Sequence, residues 1–368
     1  MKYLMAVLCA VLMTAVGCQS TSSSSSLANN AVRSYNGTAS VGDFLTIILD
    51  SNAHTIAYTN HSNGDAGTVP YTVNADGTYA LSDPTGNLLA AYEVPNYALL
   101  IQAAKTGPTH NAPALITAVE SGPISVSTWA NHKFNYMQFR TASGGFESGS
   151  VAMDGQGNVS GSSYWPYGAQ NQSGSPFNIG SFPGNNFQSD PSGTFMKLPD
   201  GQGGFDYVFG TANGIFAVDT QNGAVLGLQQ ASSKGFDPAF AGTYKAILYR
   251  KTGASTGQGN VETGTPSLGN ATIILTTAGG VTIQDALGNS LGQGTLTPVA
   301  DTAYLYGSAG QLQDPCFGLF TLRLTTANLQ QDIFVSFMGQ AMLFSSYQTS
   351  LPMNGANPYD YFYGVGLK

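Results

Sequence analysis

Charge is what this chain of 368 residues has least of. Asp, Glu, Lys and Arg make up 9% of it, against roughly 25% in an ordinary soluble domain. Disorder does not explain the shortage, because hydrophobic residues reach 42% and aromatics 11%, ample for a core. The surface must then be covered by Ser, Thr, Asn, Gln and Gly. Net charge is −8, which loss of Lys2 would make −9. With no basic stripe, neither nucleic acid nor an anionic lipid surface is expected as a partner. Cysteine is also scarce: Cys9 and Cys18 lie near the N-terminus and Cys316 stands alone, so the folded part is expected to rest on packing rather than disulfides. Cys316, in Asp314-Pro315-Cys316-Phe317-Gly318, has no His or Lys within ten residues to lower its pKa and reads as a small buried hydrophobe.

Catalytic side chains are equally sparse. The four histidines are His54, His61, His110 and His132, and no G-x-S-x-G elbow occurs. His54 and His61 flank a Thr/Asn/Ser loop without zinc spacing and read as solvated. No cofactor and no metal are expected. Amphipathic helices of ordinary length are missing too; the best candidate, 326–344, is rich in β-branched and aromatic residues and reads better as a hairpin.

At the N-terminus, Lys2 precedes an apolar run from Tyr3 to Val16, and small residues lead into Cys18. The run is too short to span a bilayer comfortably and has the form of a secretory signal. Ala15-Val16-Gly17-Cys18 resembles the lipobox of bacterial lipoproteins, with Ala15 where Leu is commoner. The resemblance covers the first 18 residues. It implies cleavage before Cys18, diacylation of its thiol and mooring in a membrane, each buried methylene contributing roughly 0.8 kcal/mol. Gln19 after the cysteine implies the outer membrane, in a host that has two. Ser20 to Asn30 is a serine-rich tract that reads as a flexible tether reaching roughly 20 Å.

From Tyr35 onward strand follows strand. β-branched and aromatic runs at 43–49, 54–58 and 69–73 are divided by Asn, Gly, Asp and Ser. Runs 97–101 and 114–119 look like strands buried on both faces. A second round begins near Trp129, where Phe134, Tyr136 and Gln138 alternate with Asn135, Met137 and Phe139. Two turns there are identical, Asp154-Gly155-Gln156-Gly157 and Asp200-Gly201-Gln202-Gly203, with a Gly-rich loop at 168–193 between them. A third round opens at Gly242. Such spacing predicts an all-β protein of antiparallel meander barrels or sandwiches built from degenerate hairpin repeats. The expected layout is a signal over 1–17, a tether over 18–33, a β region over 34–234 with a break near 128, and a β domain over 235–368. The stretch 214–227 is similar to one strand pair of quinone-type β-propeller repeats: Ala217, Asp219 and Gly223 fit, while Asn222 and Gly227 depart from it. A propeller is therefore an alternative architecture.

The two Asp-Gly-Gln-Gly turns offer one carboxylate each, with Asp206 a second at the latter; they read as hairpin turns rather than calcium cages. Tyr164, Trp165 and Tyr167, at the start of the long loop, form a candidate stacking platform for a sugar ring or a protein contact. Tyr359, Tyr361 and Tyr363 read as part of the final core strand. No catalytic residue is assigned. The leading expectation is a lipid-anchored, non-enzymatic binding or structural module of the cell envelope, with a glycan or an envelope protein as partner. The alternative is a glycan-directed hydrolase whose carboxylates, roughly 5–10 Å apart, meet only in the fold.

Overall fold

Leu45, Ile47 and Leu49 share one side of a strand, and Phe44 and Ile48 the other, so a period of two sorts an inner face from an outer one. The structure, a computed structural model, describes residues 30–106, 112–139, 146–163, 177–221, 223–256, 259–262, 267–299, 317–325, 330–346 and 359–368. Among them there is no α-helix, only three 3-10 turns at Val126–Trp129, Gly184–Asn186 and Pro238–Phe240. No helix there is long and apolar enough to cross a membrane. Everything else regular is antiparallel sheet.

Strands β1 (Val32–Ala39), β2 (Asp43–Asp50), β3 (Thr55–Asn60), β4 (Ala66–Val73), β5 (Tyr79–Leu81), β6 (Leu88–Val94), β7 (Ala98–Ala103) and β8 (Ala114–Glu120) close into a barrel through pairing of β1 with β8. Its interior holds Tyr35, Leu45, Ile47, Leu49, Ile56, Ile101 and Ile116. A nine-stranded open sheet follows, made of β9 (Lys133–Phe139), β10 (Phe146–Met153), β11 (Val159–Ser163), β12 (Phe177–Phe182), β13 (Gln188–Ser189), β14 (Met196–Pro199), β15 (Phe205–Thr211), β16 (Ile215–Thr220) and β17 (Gly223–Gln229). Its order, β12-β11-β10-β9-β17-β16-β15-β14-β13, puts β17 in the centre with β9 beside it.

The last sheet comprises β18 (Gly242–Thr256), β19 (Gly259–Glu262), β20 (Ser267–Leu275), β21 (Gly280–Asp285), β22 (Ser290–Pro298), β23 (Leu319–Thr325), β24 (Gln330–Met338), β25 (Ala341–Ser346) and β26 (Tyr359–Leu367). Pairing of β18 with β26 closes eight of these strands into a second barrel, and β19 extends β18 as a hairpin arm. Tyr244, Leu248, Ile273, Ile283, Phe320, Phe337 and Phe344 fill its interior.

Residues 31–368 form one compact unit, because the outer faces of all three sheets meet in a shared apolar junction. Phe44 and Leu100 come from the first barrel, Met137, Phe139, Phe209 and Leu226 from the open sheet, and Tyr249, Leu343 and Tyr363 from the second. Phe44 stacks on Tyr207 at 4.5 Å, and Tyr363 lies between Phe139 at 4.2 Å and Tyr249 at 4.5 Å. The runs at 97–101 and 114–119 are apolar throughout because one face fills the barrel and the other fills this junction.

The all-β expectation holds, and its three rounds correspond to the two barrels and the sheet between them. Barrels joined to a continuous sheet replace the propeller alternative. Two local readings are corrected. The Gly-rich loop expected at 168–193 contains β12 and β13, and β1 begins at Val32, inside the expected tether. Both segments lack an apolar run, yet a sheet ladder is made by backbone groups that any residue but Pro supplies.

Candidate functional site

The two faces of the open sheet meet different surroundings. On β9 Met137 and Phe139 go to the junction, while Phe134, Tyr136 and Gln138 line a cavity on the other face. On β15, Tyr207 and Phe209 meet the first barrel's Phe44, so Asp206 and Val208 point the opposite way, into the same cavity. Val151 and Met153 of β10, Leu198 of β14, Phe216 and Val218 of β16 and Val225 of β17 also line it. Trp129, delivered by the 3-10 turn before β9, is buried against it and donates its indole N–H to the Thr211 carbonyl at 3.1 Å.

This cavity holds about 300 Å³, at the lower end of the range for small-molecule sites. A pocket inside the first barrel, by contrast, holds about 20 Å³, room for little more than one water. A polar groove of about 520 Å³ lies between the outer wall of the first barrel and the 190–197 segment. Its acid, Asp190, is paired with Lys197 at 3.2 Å, and its His61 ring nitrogen bonds Thr46 Oγ1 at 3.1 Å.

Asp206 distinguishes the cavity. Its carboxylate is half-buried among apolar side chains, and no described residue donates a hydrogen bond to it. Burial, helped by the charge of Asp200, pushes it up to about 6. Asp219 belongs to the other face. It is paired in register with Tyr207, points at the first barrel, and accepts a hydrogen bond from Thr38 Oγ1 at 2.6 Å. Burial holds it well above the usual carboxylate range, against the Thr38 bond and with the charges of Asp43 and Asp206. The two acids are thus on opposite sides of one sheet and do not share a cleft.

The remaining sequence-derived candidates fall as follows. Tyr164, Trp165, Tyr167, Cys18, Cys316 and His110 lie outside the described residues. His61 packs on Phe44 at 5.3 Å, and His54 stacks on Tyr71 at 5.4 Å. Asp154 and Asp200 spend Oδ1 on backbone N–H groups of their own turns, at 2.7–2.9 Å. Among the described residues no three His, Cys, Asp or Glu side chains are grouped to hold a metal. Asp206, read as a second oxygen for the Asp200 turn, lines the cavity instead. Sequence reading found the alternation on β9 but not the cavity, since wall residues and core residues obey the same pattern. The one signal was an acid among aromatics in Phe205-Asp206-Tyr207-Val208-Phe209.

No protein-family model matches the chain, and no curated protein matches it either. Among solved structures, a Trp-to-Ala mutant of the vaccine antigen transferrin binding protein B from Haemophilus parasuis Hp5 aligns at 8% identity and a TM-score of 0.28, over 88% of this chain. The chain spans 66% of that protein's length, under two thirds. The β chain of DNA polymerase III from Streptococcus pneumoniae aligns at 9% identity and a TM-score of 0.13, over 92% of this chain and 90% of that one. Scores this low leave function to the chain's own geometry.

Proposed function

We propose that the protein is a lipid-tethered binding module of the cell envelope that holds a small apolar molecule in the cavity of its open sheet. One observation carries the binding part: the open sheet keeps an apolar cavity of about 300 Å³, against about 20 Å³ for a pocket inside the first barrel. Close packing is the rule in protein interiors, and each unfilled gap weakens a core, so an apolar void of this size is a place for a ligand. Anchoring through Cys18 at the outer membrane rests on the lipobox-like Ala15-Val16-Gly17-Cys18 run and the serine tract after it. Tyr164, Trp165 and Tyr167 stand as a further proposed contact for a glycan or an envelope protein.

The site is tested by titrating the full chain with uncharged N-phenyl-1-naphthylamine, whose fluorescence rises in apolar surroundings. Saturable enhancement is expected in the wild type, together with its loss in Val218→Phe and Val151→Phe, two variants that narrow the cavity from different strands. Equal enhancement in folded variants would place the probe elsewhere and refute the site. For the anchor, mass spectrometry of the processed protein is expected to find a diacylated N-terminal Cys18; an unmodified thiol would refute it.

A further inference from the structure

We infer that the ligand is a cationic amphiphile, an apolar body carrying one protonated amine that seats on the Asp206 carboxylate. This rests on the cavity reading above and adds the head group. An ionised carboxylate in an apolar wall is costly unless paired, and proteins pair such groups or lose them. Among the described residues, none is paired with Asp206. On the neighbouring β14, Lys197 is opposite Tyr207, on the far face, and is paired with Asp190. The turn before β15 brings Asp200, while Asp219 of β16 lies on the opposite face, bonded to Thr38. From across the cavity β9 contributes the uncharged Gln138. Among the described residues, the charge that acts on Asp206 is therefore negative, and the missing charge is positive.

A fatty acid would add a further negative charge to this corner. A hydrocarbon would fill the void and seal the carboxylate away from water with nothing to bond it. An alkyl ammonium fills the void and supplies N–H donors to the acid, and charge-assisted hydrogen bonds are roughly twice as strong as neutral ones. The pH dependence follows from linkage. Seating an amine holds the carboxylate ionised, so affinity is retained above the free value of about 6 and falls as pH drops through it.

Competition for the bound naphthyl probe by decylamine, decanol and decanoate tests this on the full chain, below the micellar range. Decylamine is expected to displace the probe at about tenfold lower concentration than decanol, with decanoate weakest. In Asp206→Asn, decylamine is expected to fall to the level of decanol while decanol is unchanged. At pH 5 the wild-type preference for the amine is expected to shrink in the same way. Equal competition by amine and alcohol, or an amine preference that survives Asp206→Asn, would overturn the head-group inference while leaving the cavity intact. A probe that is indifferent to Val218→Phe would overturn both.

Discussion

Glu93 is the most heavily bonded side chain inside the first barrel. Its carboxylate takes Arg33 Nε at 2.6 Å and an Arg33 terminal nitrogen at 2.7 Å, and the hydroxyls of Tyr35 and Tyr79 at 2.5 and 2.8 Å. Burial, followed by the Glu93 charge, pushes both tyrosines well above the usual phenol range, so they remain donors at any working pH. Breaking one side of a buried pair costs more than the pair contributes, because the other charge is stranded. Arg33→Met is accordingly expected to cost about 3–5 kcal/mol in urea unfolding, and Arg33→Met with Glu93→Leu less than that. Asp219 and Asp206 each add a pH dependence at this scale. Their folded values lie above the unfolded one near 3.8, so their contribution to stability is full below that value and lost as pH rises through the folded values. Asp219→Asn should therefore raise the melting midpoint relative to wild type at pH 8 and change it little at pH 4. A difference that is flat between the two pH values would contradict the burial of this carboxylate.

Two turns with the same four letters separate sequence from context at the scale of elements. Gly157, φ +80°, lies against Val126, whose Cγ1 would be 1.7 Å from an added Cβ. Gly203, φ +96°, has nothing within 4 Å. A left-handed alanine costs about 1 kcal/mol, and forced overlap about 1–3 kcal/mol more. Gly203→Ala is thus expected to cost about 1 kcal/mol and Gly157→Ala clearly more, with partial rescue by Val126→Ala; equal costs would refute the contact. The sequence showed both turns, and nothing in the letters told them apart, because the difference is a side chain from a 3-10 turn 31 residues upstream. The same holds for the elements at large. Strands such as β2, β9 and β15 were legible because their side chains alternate into a core. β22 was not, since its Gly, Gln and Thr residues pair through backbone with only Leu291 and Leu296 as large apolar side chains. The cavity was illegible for a related reason: Val208, Phe216 and Val218 line it with the residues that would fill a core, and only Asp206 breaks the grammar.

At the scale of the molecule, the sheets are joined by their shared apolar junction and by polar ties across it. Tyr97 donates to the Met338 carbonyl at 2.7 Å between the barrels, Thr38 to Asp219 between the first barrel and the open sheet, and Asn135 to the Phe317 carbonyl at 2.8 Å. Phe44 has no exposed surface and touches Phe195, Tyr207 and Phe209 of the open sheet. Its removal should cost about 3–5 kcal/mol and should lower a single calorimetric transition for the whole unit. Splitting into separate transitions would show that the barrels and the sheet fold independently. Such a junction also explains how one open sheet can leave a cavity unfilled: its other face is held by both barrels.

The cavity's occupancy is read most directly by methyl NMR of the valine- and methionine-labelled full chain during a decylamine titration. Shifts are predicted at Val151, Met153, Val208, Val218 and Val225, with Val281 and Met342 of the second barrel unmoved. Shifts spread over the surface, or none at these five residues at saturating probe-displacing concentrations, would contradict the site.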